Sequence, residues 1–343
     1  MNVEKTNNHH HIPLQEKVRF LQRPDSYPDP PERVEYLETH MSCVFFVDQF
    51  VYKMKKPVRY EFLDYTALDA RKYFCREEIR LNRGLAGPVY LDIVPLVVDH
   101  GGNMHLAGPG AAVEWLVKMR RLSRERMLDY AIGNRTVTED DISAVITKLV
   151  RFYRGGTVQT TPDAFLRRLK ARIDENRAQL TLPVFGLSDG QVARIHEAQR
   201  DLLARRPEMF AARAAGHMLV EGHGDLRPEH VWLGPEPMII DCLEFQREFR
   251  ILDRVEELAF LAMECELLDA REISRLIFAV YRDTAGDLPP EPLIAFYKSY
   301  RAGLRAKIAL WHIHDVNADE AENWRQRARD YLRLAEEYAN QFR

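Results

Sequence analysis

One stretch constrains this chain more than any other: His223-Gly224-Asp225-Leu226-Arg227-Pro228-Glu229-His230, followed closely by Met238-Ile239-Ile240-Asp241-Cys242. Two apolar runs, Val231-Trp232-Leu233 and Met238-Ile239-Ile240, flank Gly234-Pro235-Glu236-Pro237. Glycine and proline punctuate the chain there, so the pattern predicts a short hairpin. Asp225 lies in the loop that feeds it and Asp241 where its exit strand ends, so closing the hairpin is expected to bring both carboxylates to one end. Two carboxylates so placed suit phosphoryl transfer, in which one orients the attacking hydroxyl and the other holds a metal bridging nucleotide phosphates. Isolated aspartates near turns are common and usually solvated. The specificity lies in the whole pattern: HGDLxP, a hairpin, then an apolar strand ending in Asp.

The rest of the chain divides by periodicity. Residues 1–30 carry Pro24, Pro28, Pro30 and Pro31 and little pattern, which predicts a loosely held arm with one helical turn near Leu14–Leu21. Strand-like runs follow at Val34–Leu37, Cys43–Val47, Phe50–Met54, Tyr90–Val98 and Glu114–Met119, with Asp48-Gln49 and His100-Gly101-Gly102 as turns. A helix is expected over Thr66–Leu85, with Thr66 and Asp69 as a capping pair. Phe74, Glu78, Leu81 and Leu85 share one helix face, so Glu78 sits on an apolar stripe where a carboxylate needs a cationic partner; Glu77 is one step off that stripe. Lys53 and Lys55 share a strand face by the two-residue period, and Lys56 follows; three such lysines also suit a solvated edge. From residue 123 the pattern is helical, over 123–132, 138–155, 162–180, 188–206 and 208–216. After Asp253, which opens another helix, three amphipathic segments cover 269–284, 290–313 and 318–341.

Composition narrows the function. Hydrophobic residues make up 46% and charged residues 29% of 343, with a net charge of −3; a chain of that size supports two lobes, and the weak field does not indicate nucleic acid. No apolar run reaches the roughly 18–20 residues that span a bilayer, so a membrane is not expected. Cys43, Cys75, Cys242 and Cys265 are widely spaced, which fits reduced thiols and a cytoplasmic protein better than disulfides or zinc. His9-His10-His11 has a chelating composition on a polar tail, where three adjacent imidazoles are expected to be inert.

The segment from His223 to Asp241 resembles the catalytic loop and metal-binding aspartate of the aminoglycoside phosphotransferase-like kinases, relatives of the protein kinases, and the resemblance runs over about residues 34 to 310. It implies an α+β, two-lobed protein-kinase-like fold: a five-stranded antiparallel N-lobe with one inserted helix, and a mainly helical C-lobe. The corresponding divisions are an arm over 1–30, the N-lobe over 31–119, a hinge at 120–123 and the C-lobe over 124–343. It implies an ATP-dependent phosphotransferase acting on a hydroxyl of a small molecule. Asp225 would be catalytic and Asp241 would bind Mg²⁺, with Mn²⁺ as an alternative. Lys53 would reach the nucleotide phosphates and pair with Glu78. The turn Thr39-His40-Met41-Ser42 lacks the glycines of a protein-kinase phosphate loop, so Ser42 or Thr39 hydroxyls, or backbone amides, would serve there; an ordinary strand turn is the competing reading. Thr39-His40-x-Ser42, Tyr52-Lys53-x-Lys55-Lys56-Pro57, Phe62-Leu63-Asp64 and Arg301-Ala302…Arg305-Ala306-Lys307 resemble a branch whose members often carry a fused C-terminal P-loop ATPase. No GxxxxGK[ST] occurs in this sequence, so it looks like the kinase-like half alone.

One departure bears on the chemistry. His230 stands where the wider family has a metal-binding Asn, and imidazole is a poor ligand for magnesium. His230 is thus a candidate metal ligand, a partner of Asp225 or Asp241, or the mark of a nucleotide-binding pseudokinase with a regulatory or scaffolding role. Glu257, where relatives more often have Asp, is a milder change. For the acceptor, Glu221, Glu229, Glu244 and Glu248 suit a polycation, whereas Arg227, Arg301 and Arg305 suit an anion or internal pairing.

Overall fold

The computed structural model describes residues 12–187, 189–315 and 317–343. Two compact units share the chain. Residues up to Ser123 together with Ile239–Arg247 form the first, and Arg124–Met238 with Glu248–Arg343 form the second. The C-lobe expected to run unbroken over 124–343 is therefore interrupted, because the segment that carries Asp241 belongs to the first unit. The His9-His10-His11 run lies outside the described residues.

In chain order the first unit contains α1 (Leu14–Leu21), β1 (Glu35–Glu38), β2 (Ser42–Val47), β3 (Phe50–Lys55), β4 (Arg59–Tyr60), β5 (Leu63–Asp64), α2 (Leu68–Ala86), β6 (Tyr90–Val98), β7 (Met104–Leu106) and β8 (Ala111–Arg120). The sheet order is β1-β2-β3-β8-β6-β7, antiparallel throughout. All five expected strands are present, and β7 adds a short sixth at the edge. Alternation along β2 and β3 sends Cys43, Phe45, Val47, Tyr52 and Met54 to one face, where Leu21 and Tyr27 pack on them. That face explains why the segment around α1, expected to be loosely held, is packed instead: an apolar sheet face needs a cover, and α1 with its following turn supplies it. The Tyr27 hydroxyl donates to the Leu21 carbonyl at 2.6 Å, and the buried Lys17 ammonium meets Glu114 at 2.8 Å. Lys53 and Lys55 point from β3 to the opposite face, as the two-residue period predicts.

The second unit holds α3 (Leu128–Gly133), α4 (Glu139–Gly155), α5 (Pro162–Leu180), α6 (Asp189–Arg205), α7 (Pro207–Ala215), β9 (Leu219–Glu221) and β10 (Val231–Trp232). Then come β11 (Met238–Ile239), α8 (Arg247–Arg250), β12 (Ile251–Asp253), α9 (Arg254–Leu267), α10 (Arg271–Ala285), α11 (Glu291–Trp311) and α12 (Ala318–Ala339). Strands β10 and β11 pair as the expected hairpin. Thr138 caps α4 in a full capping box with Asp141, and Asp253 caps α9 by accepting from the Val255 amide. Phe260, Met263, Ala302, Ala306, Tyr331 and Ala335 from α9, α11 and α12 share one buried core. Strand β12 pairs antiparallel with β9 through Leu252 and Val220, which fixes where the chain enters the His223 loop. Among the described residues no helix is long and apolar enough to cross a membrane, and the four cysteines are buried and outside any disulfide.

Candidate active site

In the first unit a line of alternating charges joins β3, α2 and the segment 239–247. The Lys53 ammonium lies 2.9 Å from Glu78 Oε1 and 2.5 Å from Asp241 Oδ1. The Lys55 ammonium lies 2.7 Å from Glu78 Oε2 and also bonds Glu244 Oε1, which accepts the Tyr65 hydroxyl at 2.7 Å. Lys55 and Glu78 are wholly buried. The buried stripe of α2 runs through Arg71, Cys75, Glu78, Ile79, Asn82 and Leu85, so it passes beside Phe74 and Leu81 rather than through them. Glu78 lies on it, as expected, while Glu77 pairs with Arg80 at 2.7 Å on the more open side. The expected Thr66–Asp69 cap does not form: Ala67 is the N-cap, and the Thr66 hydroxyl and amide bond Asp64 at 2.5 and 2.9 Å.

Electrostatics favours the charged forms of Lys53, Lys55 and Glu244. Burial works against the charge on Lys53, yet Asp241 and Glu78 outweigh it and keep its pKa well above the ordinary lysine value. Burial likewise opposes the charge on Lys55, and Glu244 and Glu78 reverse it. For Glu244 burial pushes upward, while Lys55 and Lys53 bring its pKa below the ordinary carboxylate value. The backbone at Asp241 has φ 65°, a left-handed conformation that non-glycine residues hold only when neighbours determine it. Its amide donates to the Tyr90 hydroxyl oxygen at 3.0 Å, and the Cys242 amide donates to Asn82 Oδ1 at 3.0 Å. Asn82 Nδ2 in turn donates to the Glu78 carbonyl at 2.8 Å, so one buried amide side chain fixes the segment to α2.

Asp241 fits a divalent cation. It supplies oxygen, its side chain is 41% exposed, and a cation, the Lys53 ammonium, already sits against Oδ1. Among the described residues no three His, Cys, Asp or Glu side chains gather into a cage; magnesium commonly needs only one or two carboxylates, with substrate phosphates completing its shell. Ser42 does not fit its expected role as a phosphate contact. It is 4% exposed, and its turn bonds internally: the Thr39 amide and hydroxyl donate to the Ser42 carbonyl at 2.8 and 3.1 Å, and the Ser42 amide donates to Thr39 Oγ1 at 3.0 Å.

In the second unit Asp225 is tied into its own loop. Arg227 Nε donates to Asp225 Oδ2 at 3.1 Å, and its Nη1 bonds Glu229 Oε1. Burial alone would raise the Asp225 pKa; the facing cations, Arg227 foremost, bring it down to about 2. The loop backbone hangs on Glu257, whose Oε1 accepts from the Gly224 amide at 2.8 Å. A Cβ built on Gly222 would stand 2.7 Å from both oxygens of that carboxylate, which explains the glycine. His230, expected at the metal, is used otherwise. Its Nδ1 bonds the Asp225 carbonyl at 2.8 Å and its Nε2 receives Arg227 Nη2 at 3.2 Å. A nitrogen facing a guanidinium cannot also face a metal cation, so the ring braces the loop.

The charged residues considered for the acceptor resolve into pairs. Glu221 meets Arg250 at 2.7 Å, Arg301 meets Glu256 at 2.6 Å and Arg305 meets Glu264 at 3.1 Å. Glu229 and Glu244 are taken up as described, and Glu248 lies 3.9 Å from Arg168. Lys55, Asn82 and Tyr90 join the charged cluster around Glu78 although pattern reading gave them no role in it. The usable signals were the shared strand face of Lys53 and Lys55 and the four-residue step from Glu78 to Asn82; nothing in the sequence pointed to Tyr90.

Similar architectures exist among solved structures. A choline/ethanolamine kinase family protein from Mesorhizobium loti is 15% identical, with 95% of this chain and 99% of that one covered and a TM-score of 0.53. The GDP complex of aminoglycoside 2'-phosphotransferase-IIIa is 16% identical over 93% and 97% of the two chains, at 0.51. The fold is that of the aminoglycoside phosphotransferase-like kinases. At such identities it is the protein-kinase-like architecture that is shared. By sequence, uncharacterized proteins of Mycobacterium tuberculosis (strain ATCC 25618 / H37Rv) and Mycobacterium bovis (strain ATCC BAA-935 / AF2122/97) are 32% identical over 291 residues, covering 83% of this chain. The chain spans 56% of the length of these curated relatives. No family model matches it.

Proposed function

We propose that this chain is an ATP-dependent phosphotransferase that moves the γ-phosphate to a hydroxyl of a small molecule, with Mg²⁺ or Mn²⁺ as its metal. The observation that carries the reading is Lys53 bridging Glu78 and Asp241 in a buried line of charge. On this reading Lys53 contacts nucleotide phosphates and Glu78 orients it. Asp241 holds the metal, which when bound neutralises charge on the phosphates. Asp225, with its pKa near 2, is too weak a base to pull the proton early; it accepts a hydrogen bond from the acceptor hydroxyl and orients it. Catalysis then comes from positioning and charge rather than a covalent intermediate. The names of the similar structures, choline/ethanolamine kinase and an aminoglycoside phosphotransferase with GDP, support the class and leave the nucleotide and acceptor to experiment. A second reading, a nucleotide-binding pseudokinase, is favoured by the bonded state of His230.

Comparing the parent with Asp225→Asn and Asp241→Asn tests this, using calorimetric nucleotide–metal binding and a sensitive ADP-release assay. Asp225→Asn should bind nucleotide nearly as well as the parent and lose turnover, including slow hydrolysis. Asp241→Asn should lose both. If the parent binds nucleotide yet releases no more ADP than Asp225→Asn across both metals and a broad panel of hydroxyl compounds, the pseudokinase reading replaces the enzyme. A parent that binds no nucleotide defeats both.

A further inference from the structure

Lys55 has no place in the roles assigned so far, yet it is the more deeply buried of the two lysines, 0% exposed against 14% for the Lys53 side chain. With no exposure it cannot serve as a solvent-facing contact for a ligand. Its ammonium joins two elements: Glu78 on α2 and Glu244 on the segment that carries Asp241. The Tyr65 hydroxyl bonds the same Glu244 oxygen, and the Lys55 ammonium stands 5.3 Å from the Tyr65 ring centre. Each oxygen of Glu78 therefore has its own lysine, and each lysine has its own second carboxylate on the 239–247 segment.

We propose that Lys55 is a positioning residue for the Asp241 carboxylate. The proposal rests on the kinase reading. Lys53 bonds Asp241 directly through Oδ1 and is also the residue assigned to phosphate, so on this reading its hold on Asp241 is given up when nucleotide binds. The Lys55–Glu244 pair lies three residues further along the segment and involves no oxygen of Asp241. It holds the segment against α2 in both states, and it leaves Glu78 paired when Lys53 turns to phosphate. A left-handed Asp241 also demands neighbours that fix it, and the Tyr90 and Asn82 contacts reach only the backbone at 241 and 242.

The test uses the full chain with Lys55→Met and with Lys55→Met/Glu244→Gln. The single variant strands a buried carboxylate and is expected to lower the melting temperature. The double variant removes that charge and should recover much of the loss. In the double variant, amide exchange at Asp241 and Cys242 should accelerate about 10-fold or more, because their local opening no longer works against the tether. The metal concentration that half-saturates nucleotide binding should rise about 10-fold, as it does when groups supporting a ligand are removed. Nucleotide affinity at saturating metal should stay near that of the parent. Parent-like exchange at Asp241 and Cys242 in the double variant overturns the proposal. So does accelerated exchange with an unchanged metal requirement, because Lys55 would then serve the fold alone. A parent with no nucleotide–metal binding defeats the kinase reading and the proposal with it; the exchange measurement, which needs no ligand, separates that failure from failure of the tether.

Discussion

At the scale of single residues, the structure turns on which polar groups are already satisfied. His230 is the clearest case, since both ring nitrogens have partners within its own loop. Replacing it by Asn should leave the relative preference of nucleotide binding for Mg²⁺ and Mn²⁺ unchanged while costing about 0.5–1.5 kcal/mol of stability, the usual worth of a hydrogen bond. Parallel calorimetric titrations with the two metals and a urea melt check both parts; a preference that shifts strongly toward Mg²⁺ would put the ring at the metal after all. The sequence marked His230, Ser42, Arg301 and Arg305 as chemically suggestive. It offered Asp225 as a partner for His230, which the Nδ1 bond to the Asp225 carbonyl matches, and it was silent on the partners of the two arginines. Glu256 and Glu264, which pair with the two arginines, lie some forty residues away on another helix, and no local pattern encodes such pairings.

Elements were more legible than residues. The hairpin, the five main strands and most helices follow from periodicity and caps because those signals are local: Thr138 with Asp141 and Asp253 with Val255 make capping bonds where helices were expected to begin. The cap at Thr66 failed because Asp64, two residues earlier, captured both its amide and its hydroxyl. The His223 loop shows an element held from outside itself. Its backbone depends on Glu257 of α9, and Gly222 leaves room for that carboxylate. Gly222→Ala should therefore destabilise the protein by about 1–3 kcal/mol, as overpacking does. Adding Glu257→Asp, which withdraws the carboxylate by one methylene, should recover part of the loss. A double-mutant cycle on urea melts gives the coupling; strictly additive costs would mean that the two residues do not press on each other.

For the whole molecule, the feature that pattern reading missed is the discontinuity of the first unit. The chain leaves that unit after Ser123, returns for Ile239–Arg247 and leaves again. The returning segment is recognised through residues such as Lys53, Lys55, Tyr65, Asn82 and Tyr90, all distant in sequence, so a local reading assigns it to its neighbours. A fragment ending at Ser123 leaves Lys53 and Lys55 sharing the single carboxylate of Glu78, because it lacks Asp241 and Glu244. Removing one partner of a buried ion pair costs about 3–5 kcal/mol, a large share of the roughly 5–15 kcal/mol that holds a domain together. The fragment should show no cooperative thermal transition by circular dichroism, and the same fragment extended through a flexible linker by residues 239–247 should regain one. A sharp transition in the bare fragment would show that the returning segment is dispensable. The same feature sets an order of events during synthesis. Lys53 precedes Asp241 by 188 residues and Lys55 precedes Glu244 by 189. At about 5–20 residues per second, roughly 10–40 seconds pass between the emergence of the lysines and that of their carboxylates. Through that interval the two ammonium groups are better off in water than in a core. In the growing chain, then, the first unit can close only after Arg124–Met238, the first stretch of the second unit, has been made.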